Sequence, residues 1–190
     1  MPMAATARIL AFAGSARRES FNRKFLAVAV GALRQAGCEV TVSDLGELGL
    51  PLYNGDLEDA EGLPAGAVRL IGLVASHQGL LVASPEYNSM ITPLLKNAID
   101  WCSRADDNPF EGKAAAVISA SPGALGGVRS LAMAQQLLLK LGCRVVPGQC
   151  YLPNAAKGFD AQGGLVEARV QKSVEALAAK LAGACSLPAP

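Results

Sequence analysis

Five short apolar runs alternate with five amphipathic ones along the chain, and few folds accommodate that order. The apolar runs are Arg8–Ala13, Glu39–Ser43, Gly79–Ser84, Ala114–Ala120 and Arg144–Tyr151, and their length is that of strands. The amphipathic runs are Ser20–Gln35, Pro64–Ser76, Thr92–Ser103, Gly127–Leu141 and Gly164–Ala184. Gly37 and Gly142 follow two of them, where a left-handed terminating residue is expected. Repeated βα units predict an α/β protein with a parallel, doubly wound, five-stranded sheet, and right-handed crossovers put helices on both faces. In the strand order 2-1-3-4-5 a switch point falls between strands 1 and 3. Ligands bind there, outside the carboxyl ends of the strands.

The composition agrees. Half of the 190 residues are apolar and 17% are charged, which suits a sheet buried on both faces. The length fits a single domain over residues 1–190, with the Pro-rich tail 186–190 frayed. A net charge of +1 and 5% aromatics advertise neither a nucleic-acid nor a membrane surface. The first residues lack the pattern of a signal peptide, and no run reaches the ~20 apolar residues of a membrane span. Five cysteines with no CxxC argue against a disulfide scaffold or structural zinc, and for buried thiols in a reducing, cytoplasmic setting. His77 is the only histidine and is expected at a surface helix end, so neither a metal site nor a Ser-His-Asp triad is expected.

The loops after strands 1, 3 and 4 are the special ones. The first, Gly14-Ser15-Ala16-Arg17-Arg18-Glu19-Ser20-Phe21-Asn22, joins a strand to a helix through hydroxyls, an amide and two guanidinium groups. That is the chemistry of an anion site: helix N–H groups, hydroxyl donors and a bidentate cation. It is neither GxGxxG nor GxxxxGK[ST], and it suits the terminal phosphate of a phosphate-bearing cofactor on Ser15, Arg17, Ser20 and Asn22, with Arg18 facing solvent. The second loop, Pro85-Glu86-Tyr87-Asn88, offers a flat aromatic face and an amide able to read a heterocycle edge. It reads as a type I turn ahead of a helix with Thr92 as N-cap and Pro93 at the first position. Glu86 has no sequence-adjacent partner for acid–base work, and a positioning role is expected. The third loop, Ser121 to Gly127, carries Gly123, Gly126 and Gly127, which let backbone approach a flat ligand. The segment from Asp44 to Gly62 reads as a surface excursion.

With these motifs the chain resembles the NADPH-dependent FMN reductases of flavodoxin-like fold, the group that includes bacterial quinone, azo and chromate reductases. The resemblance runs through Gly14–Asn22, Leu50-Pro51-Leu52-Tyr53, Pro85–Asn88, Leu95-Lys96-Asn97-Ala98-Ile99-Asp100-Trp101 and Ser121–Gly127, in family order and spacing. It implies that FMN binds with its phosphate on Ser15, Arg17, Ser20 and Asn22. Its ring would lie along Pro85, Glu86, Tyr87 and Asn88, with Ser121 and Gly123 approaching from the third loop. It further implies hydride transfer from NADPH or NADH to FMN, followed by reduction of a quinone, flavin, azo compound or metal oxyanion such as chromate. The expected assembly is a homodimer or homotetramer, with Trp101 and part of Leu94–Ala98 reaching a partner. Many members carry a bulky residue after the Asn of the second loop. Ser89 stands there in this chain, so acceptor access over the ring is expected to differ.

Two other readings share the sheet order. A flavodoxin-type electron carrier, or a non-catalytic flavin-binding module, would use the same loops, but carriers are usually acidic. A signalling receiver needs paired acids after strand 1, where this chain has Ala13 and Gly14.

Overall fold

The computed structural model describes residues 6–186; of the expected frayed tail, all but Ser186 lies outside the described residues. The elements follow in the order β1 (Arg8–Ala13), α1 (Phe21–Gln35), β2 (Glu39–Asp44), α2 (Gly55–Glu61), α3 (Ala65–Ser76), β3 (Gly79–Ala83), α4 (Pro93–Cys102), β4 (Ala114–Ala120), α5 (Val128–Lys140), β5 (Arg144–Val145), β6 (Cys150–Leu152) and α6 (Ala168–Cys185). All pairings between these strands are parallel and the order is β2-β1-β3-β4-β5, with β6 also on β4.

Strand periodicity divides the core in two. Ile9, Ala11, Leu81, Ala116 and Ile118 point to one face, where Phe25, Ala29 and Leu33 of α1 and Val174, Leu177 and Leu181 of α6 cover them. Leu10, Phe12, Leu80, Val82, Ala115 and Val117 point to the other, against Leu70 and Val74 of α3, Leu95 and Ile99 of α4, and Leu131, Ala134 and Leu138 of α5. The alanine-rich β4 lets helices approach closely on both sides. Cys102, Cys143 and Cys150 are buried in this packing, and burial pushes their thiols up to about 12.

Helix ends match their capping chemistry. Ser20 and Thr92 cap α1 and α4 and accept from backbone N–H groups three residues on, and Pro93 opens α4. Gly37 and Gly142 adopt the expected positive φ.

Outside the loops of the cleft, the structure corrects four sequence expectations. The fifth strand is broken into β5 and β6. Residues 146–149 stand opposite only residues 116 and 117 of β4, and this bulge holds Pro147, which has no N–H, and Gly148 at φ +133°. The last helix starts at Ala168 and not at Gly164, because Asp160 Oδ1 accepts from the N–H groups of Gln162 and Gly164 and turns the chain back. His77 ends α3 but is buried. Its Nδ1 donates to the Leu73 carbonyl at 2.6 Å, and Nε2 shares a 2.8 Å hydrogen bond with Thr41 Oγ1 on β2.

The fourth correction concerns the excursion and Trp101. Leu45 and Leu48 enter the core, and Pro51–Tyr53 docks on α4. The Pro51 carbonyl accepts from Asn97 Nδ2 and Trp101 Nε1, both at 2.8 Å, while Asn97 Oδ1 accepts from Tyr53 N–H. The Tyr53 ring meets Trp101 edge-on, 5.0 Å between centroids. Trp101 is fully buried by its own chain and is no anchor for a partner.

Replacing Asn97 with Ala removes both amide bonds to the excursion. Urea unfolding should show a loss of about 1–3 kcal/mol, with faster proteolysis between residues 49 and 62. Unchanged stability and protease resistance would mean that the excursion is not held by this amide.

Candidate functional site

The carboxyl end of the sheet opens where β1 and β3 part from β4, and three loops meet there. Ser15, Arg17, Ser20, Phe21, Asn22, Pro85, Glu86, Tyr87, Ala120, Ser121 and Pro122 line one cleft. Eight of the ten candidates read from the sequence are thereby brought together. Asn88 and Gly123 stand outside its lining, exposed at the tips of the second and third loops. Phe21, Ala120 and Pro122 complete the lining without a polar signal in the sequence, being a ring, a methyl and a pyrrolidine.

The first loop is drawn tightly into the structure. Gly14 N–H donates to the Ala83 carbonyl at 2.9 Å, and Thr92 Oγ1 donates to the Gly14 carbonyl at 2.6 Å. A Cβ on Gly14 would lie 2.9 Å from both Leu95 Cβ and Thr92 Oγ1, so only glycine lets β1 end this close to α4. Ser15 and Ser20 are buried, and the N–H groups of Phe21 and Asn22 open α1 with no acceptor among the described residues. Arg17 and Arg18 are exposed, and neither guanidinium has a partner among them. The Asn22 side chain, by contrast, is engaged: Nδ2 donates to the Ala120 carbonyl at 2.7 Å and Oδ1 accepts from Ala120 N–H at 3.0 Å.

The second loop is a hairpin and not the expected type I turn. Tyr87 and Met90 exchange both backbone hydrogen bonds, and Asn88 and Ser89 both take positive φ, 51° and 67°. This is the two-residue turn of the I′ kind, and Ser89 occupies a position usually given to glycine. Below the hairpin lies a wholly buried hydroxyl network. Ser119 Oγ donates to the Ser84 carbonyl, Ser130 Oγ to the Pro85 carbonyl, and Ser84 Oγ meets Ser130 Oγ at 2.6 Å. Ser119 fills the space that a side chain on Gly127 would need, and Gly127 turns into α5 at φ +83°.

Glu86 binds the second loop to the start of α5. Its carboxylate accepts from the backbone N–H groups of Arg129 and Ser130 at 3.1 and 3.2 Å, and pairs with the Arg129 guanidinium. Burial pushes the carboxyl up, but the Arg129 side chain and the two helix N–H groups outweigh it and hold it below the ordinary value. An ionised, four-donor carboxylate has no lone pair poised for proton transfer, which fits positioning. Arg129, Ser84, Ser119 and Ser130 give no local sequence signal, because their partners are far along the chain.

A wider hollow of about 300 Å³ lies between α1 and β2 and shares only Ser15 with the cleft. Its lining includes Leu26, Ala27, Val30 and Val42, and its charges are used internally: Arg23 pairs with Asp44, and Arg34 donates to the Val40 carbonyl. Arg17 and the open N–H groups of Phe21 and Asn22 lie on the cleft side. A terminal phosphate beside two loops that can flank a flat ring is what that donor set fits, and FMN has both parts.

Residues 7–157 match the family described as NADPH-dependent FMN reductase. The chain belongs to that family. It is 35% identical over 169 residues to an NAD(P)H-dependent FMN reductase of Pseudomonas aeruginosa, covering 88% of this chain and 89% of that one. It is 38% identical over 155 residues to a quinone reductase of Pseudomonas putida, covering 80% and 81%. Among solved structures it is similar to the flavoenzyme NAD(P)H:(acceptor) oxidoreductase FerB of Paracoccus denitrificans, with TM-score 0.76, 27% identity and coverage of 93% and 97%. The fold is flavodoxin-like, and this FMN reductase family member is an oxidoreductase that works with FMN and NAD(P)H.

The Glu86 clamp predicts a pH signature. Its carboxyl is depressed in the folded state, so it stabilises the fold above the ordinary glutamate value and the contribution is lost as pH falls through the lower, folded value. Glu86→Gln should cost on the order of 2 kcal/mol at pH 7. The gap to wild type should stay constant down to about pH 5 and shrink as pH falls further, through the lowered folded value. A gap independent of pH throughout would contradict the clamp.

Proposed function

We propose that the cleft holds FMN across the three loops and that the enzyme passes reducing equivalents from NAD(P)H to a quinone, with flavins, azo compounds and metal oxyanions as further acceptors. The observation that carries this is the set of unpartnered phosphate donors, Arg17 with the N–H groups of Phe21 and Asn22, facing the cleft that Pro85–Tyr87 and Ser121 complete. The similarity to proteins named quinone reductase supports the choice of acceptor.

Ser15, Arg17 and Ser20 hold the phosphate, aided by the start of α1. Pro85, Glu86, Tyr87 and Asn88 set the edge against which the ring rests, and Ser121 and Gly123 close it from the third loop. FMN, when bound, supplies the hydride and electron chemistry. The chain's own task is to fix and orient: Glu86 keeps the second loop against α5, and the serine network keeps its base rigid. No side chain has to move a proton. Tyr87, Met90 and Leu125 are about half exposed on the second and third loops. They support a second subunit closing this rim, in a homodimer or homotetramer. The unbridged thiols of all five cysteines support a cytoplasmic setting.

Two outcomes test this. The purified protein should release FMN, and anaerobic mixing with NADPH should bleach the bound flavin within the catalytic cycle time; a flavin that NADPH leaves oxidised points to an electron carrier. Arg17→Ala should weaken FMN binding about 10- to 100-fold, from the loss of ~1.5–3 kcal/mol for a charge-assisted bond, and Arg18→Ala by much less. Equal affinities in both variants and the wild type would remove the phosphate from the first loop.

A further inference from the structure

The ladder between β3 and β4 stops one step early. Ser84 N–H donates to the Ile118 carbonyl at 2.8 Å, and the next position on that edge of β4 is Ala120. A continued parallel strand would present the Ser84 carbonyl to Ala120 N–H and the Glu86 N–H to the Ala120 carbonyl. The Ser84 carbonyl is taken by Ser119 Oγ, and Pro85 turns the chain out of the sheet. The vacancy is filled from 98 residues away. The Asn22 side chain, 4% exposed, offers Oδ1 to Ala120 N–H at 3.0 Å and Nδ2 to the Ala120 carbonyl at 2.7 Å. A side-chain amide has the donor–acceptor pair of a peptide group, so Asn22 replaces one residue of missing strand.

We propose that Asn22 is a positioning residue that joins the first loop to the third. Resting on the flavin reading above, it assigns Asn22 a contribution to flavin affinity that passes through Ala120 and not through the phosphate. Asn22 is the second residue of α1, where the first loop ends, and Ala120 is the last of β4, where the third loop begins. The two bonds fix the spacing between those loops. On the other side of β4, Ser121 N–H donates to the Leu152 carbonyl, and Ala155 N–H donates to the Ser121 carbonyl. Ser121 is thus held at its base from both directions. Without Asn22, Ala120 would have a buried N–H and carbonyl unpaired, and the third loop would lose one anchor. A carboxylate in place of the amide can still accept from Ala120 N–H but repels its carbonyl; a protonated carboxyl can do both.

The test compares FMN with riboflavin, which has the ring and no phosphate. Flavin-stripped full-length wild type, Asn22→Ala and Asn22→Asp are titrated with each flavin by fluorescence quenching, and amide exchange at Ala120 is followed without flavin. Asn22→Ala should weaken both flavins by the same factor, about tenfold or more, and should lose exchange protection at Ala120. Asn22→Asp should be weak for riboflavin at pH 8 and recover toward wild type as pH falls to about 4.5. This series carries the test if the alanine variant fails to fold. A loss confined to FMN, with riboflavin affinity and Ala120 exchange unchanged, would make Asn22 a phosphate ligand and overturn the proposal, as would no change in any of these. If wild type binds neither flavin, the flavin reading fails, and exchange at Ala120 alone decides the bridge.

Discussion

Pro85 is the constraint on which the working end of this protein depends. A proline has no N–H and disfavours continuation of a central strand. It takes β3 out of the sheet one residue after Ser84, while β4 runs on to Ala120. The result is a gap between the ends of β3 and β4, lined by backbone groups that have lost their natural partners. Buried groups of that kind call for partners, and side chains supply several of them. Serine hydroxyls take the Ser84 and Pro85 carbonyls, the Asn22 amide takes Ala120, and Glu86 takes the first N–H groups of α5. Among the described residues no buried side-chain polar atom is without a partner. The base of the cleft is tied together by these bonds, while the start of α1 keeps open donors.

Those open donors give the site its chemistry. Cations elsewhere near the cleft are used: Arg23 on Asp44, Lys24 on Glu19, Arg129 on Glu86. Arg17 is not, and it lies beside two helix N–H groups that also lack acceptors among the described residues. Among the charges that line the cleft, Arg17 is thus the cation left to meet an anion, next to the positive end of α1. An anionic group attached to a flat, uncharged body fits such a surface better than a polyanion would.

Much of the fold was legible because its signals are local. Alternating apolar runs, Thr92-Pro93 and the glycines after α1 and α5 each act within a few residues, and right-handed βα crossovers limit the ways such units can wind. The first loop was legible for the same reason. What escaped was set by distant partners. His77 looked like a surface residue until Thr41 of β2 covered it, and Trp101 looked available until Pro51–Tyr53 folded over it. The break between β5 and β6 is signalled by Pro147-Gly148, but the apolar run around them masks that signal. Asn88–Ser89 gave no Gly to announce an I′ turn. Within the site, Arg129 and the three serines carry no motif, and only the geometry of the gap at Pro85 gives them work.

The phosphorus-31 resonance of FMN added to the protein tests the central claim most directly. A phosphate held by Arg17 and the start of α1 should stay a dianion from pH 8 to pH 5, giving one shifted resonance that does not titrate near the usual value of about 6. A resonance at the position of free FMN that titrates near 6 while the ring is bound would show that the phosphate does not occupy the first loop, and would contradict the account.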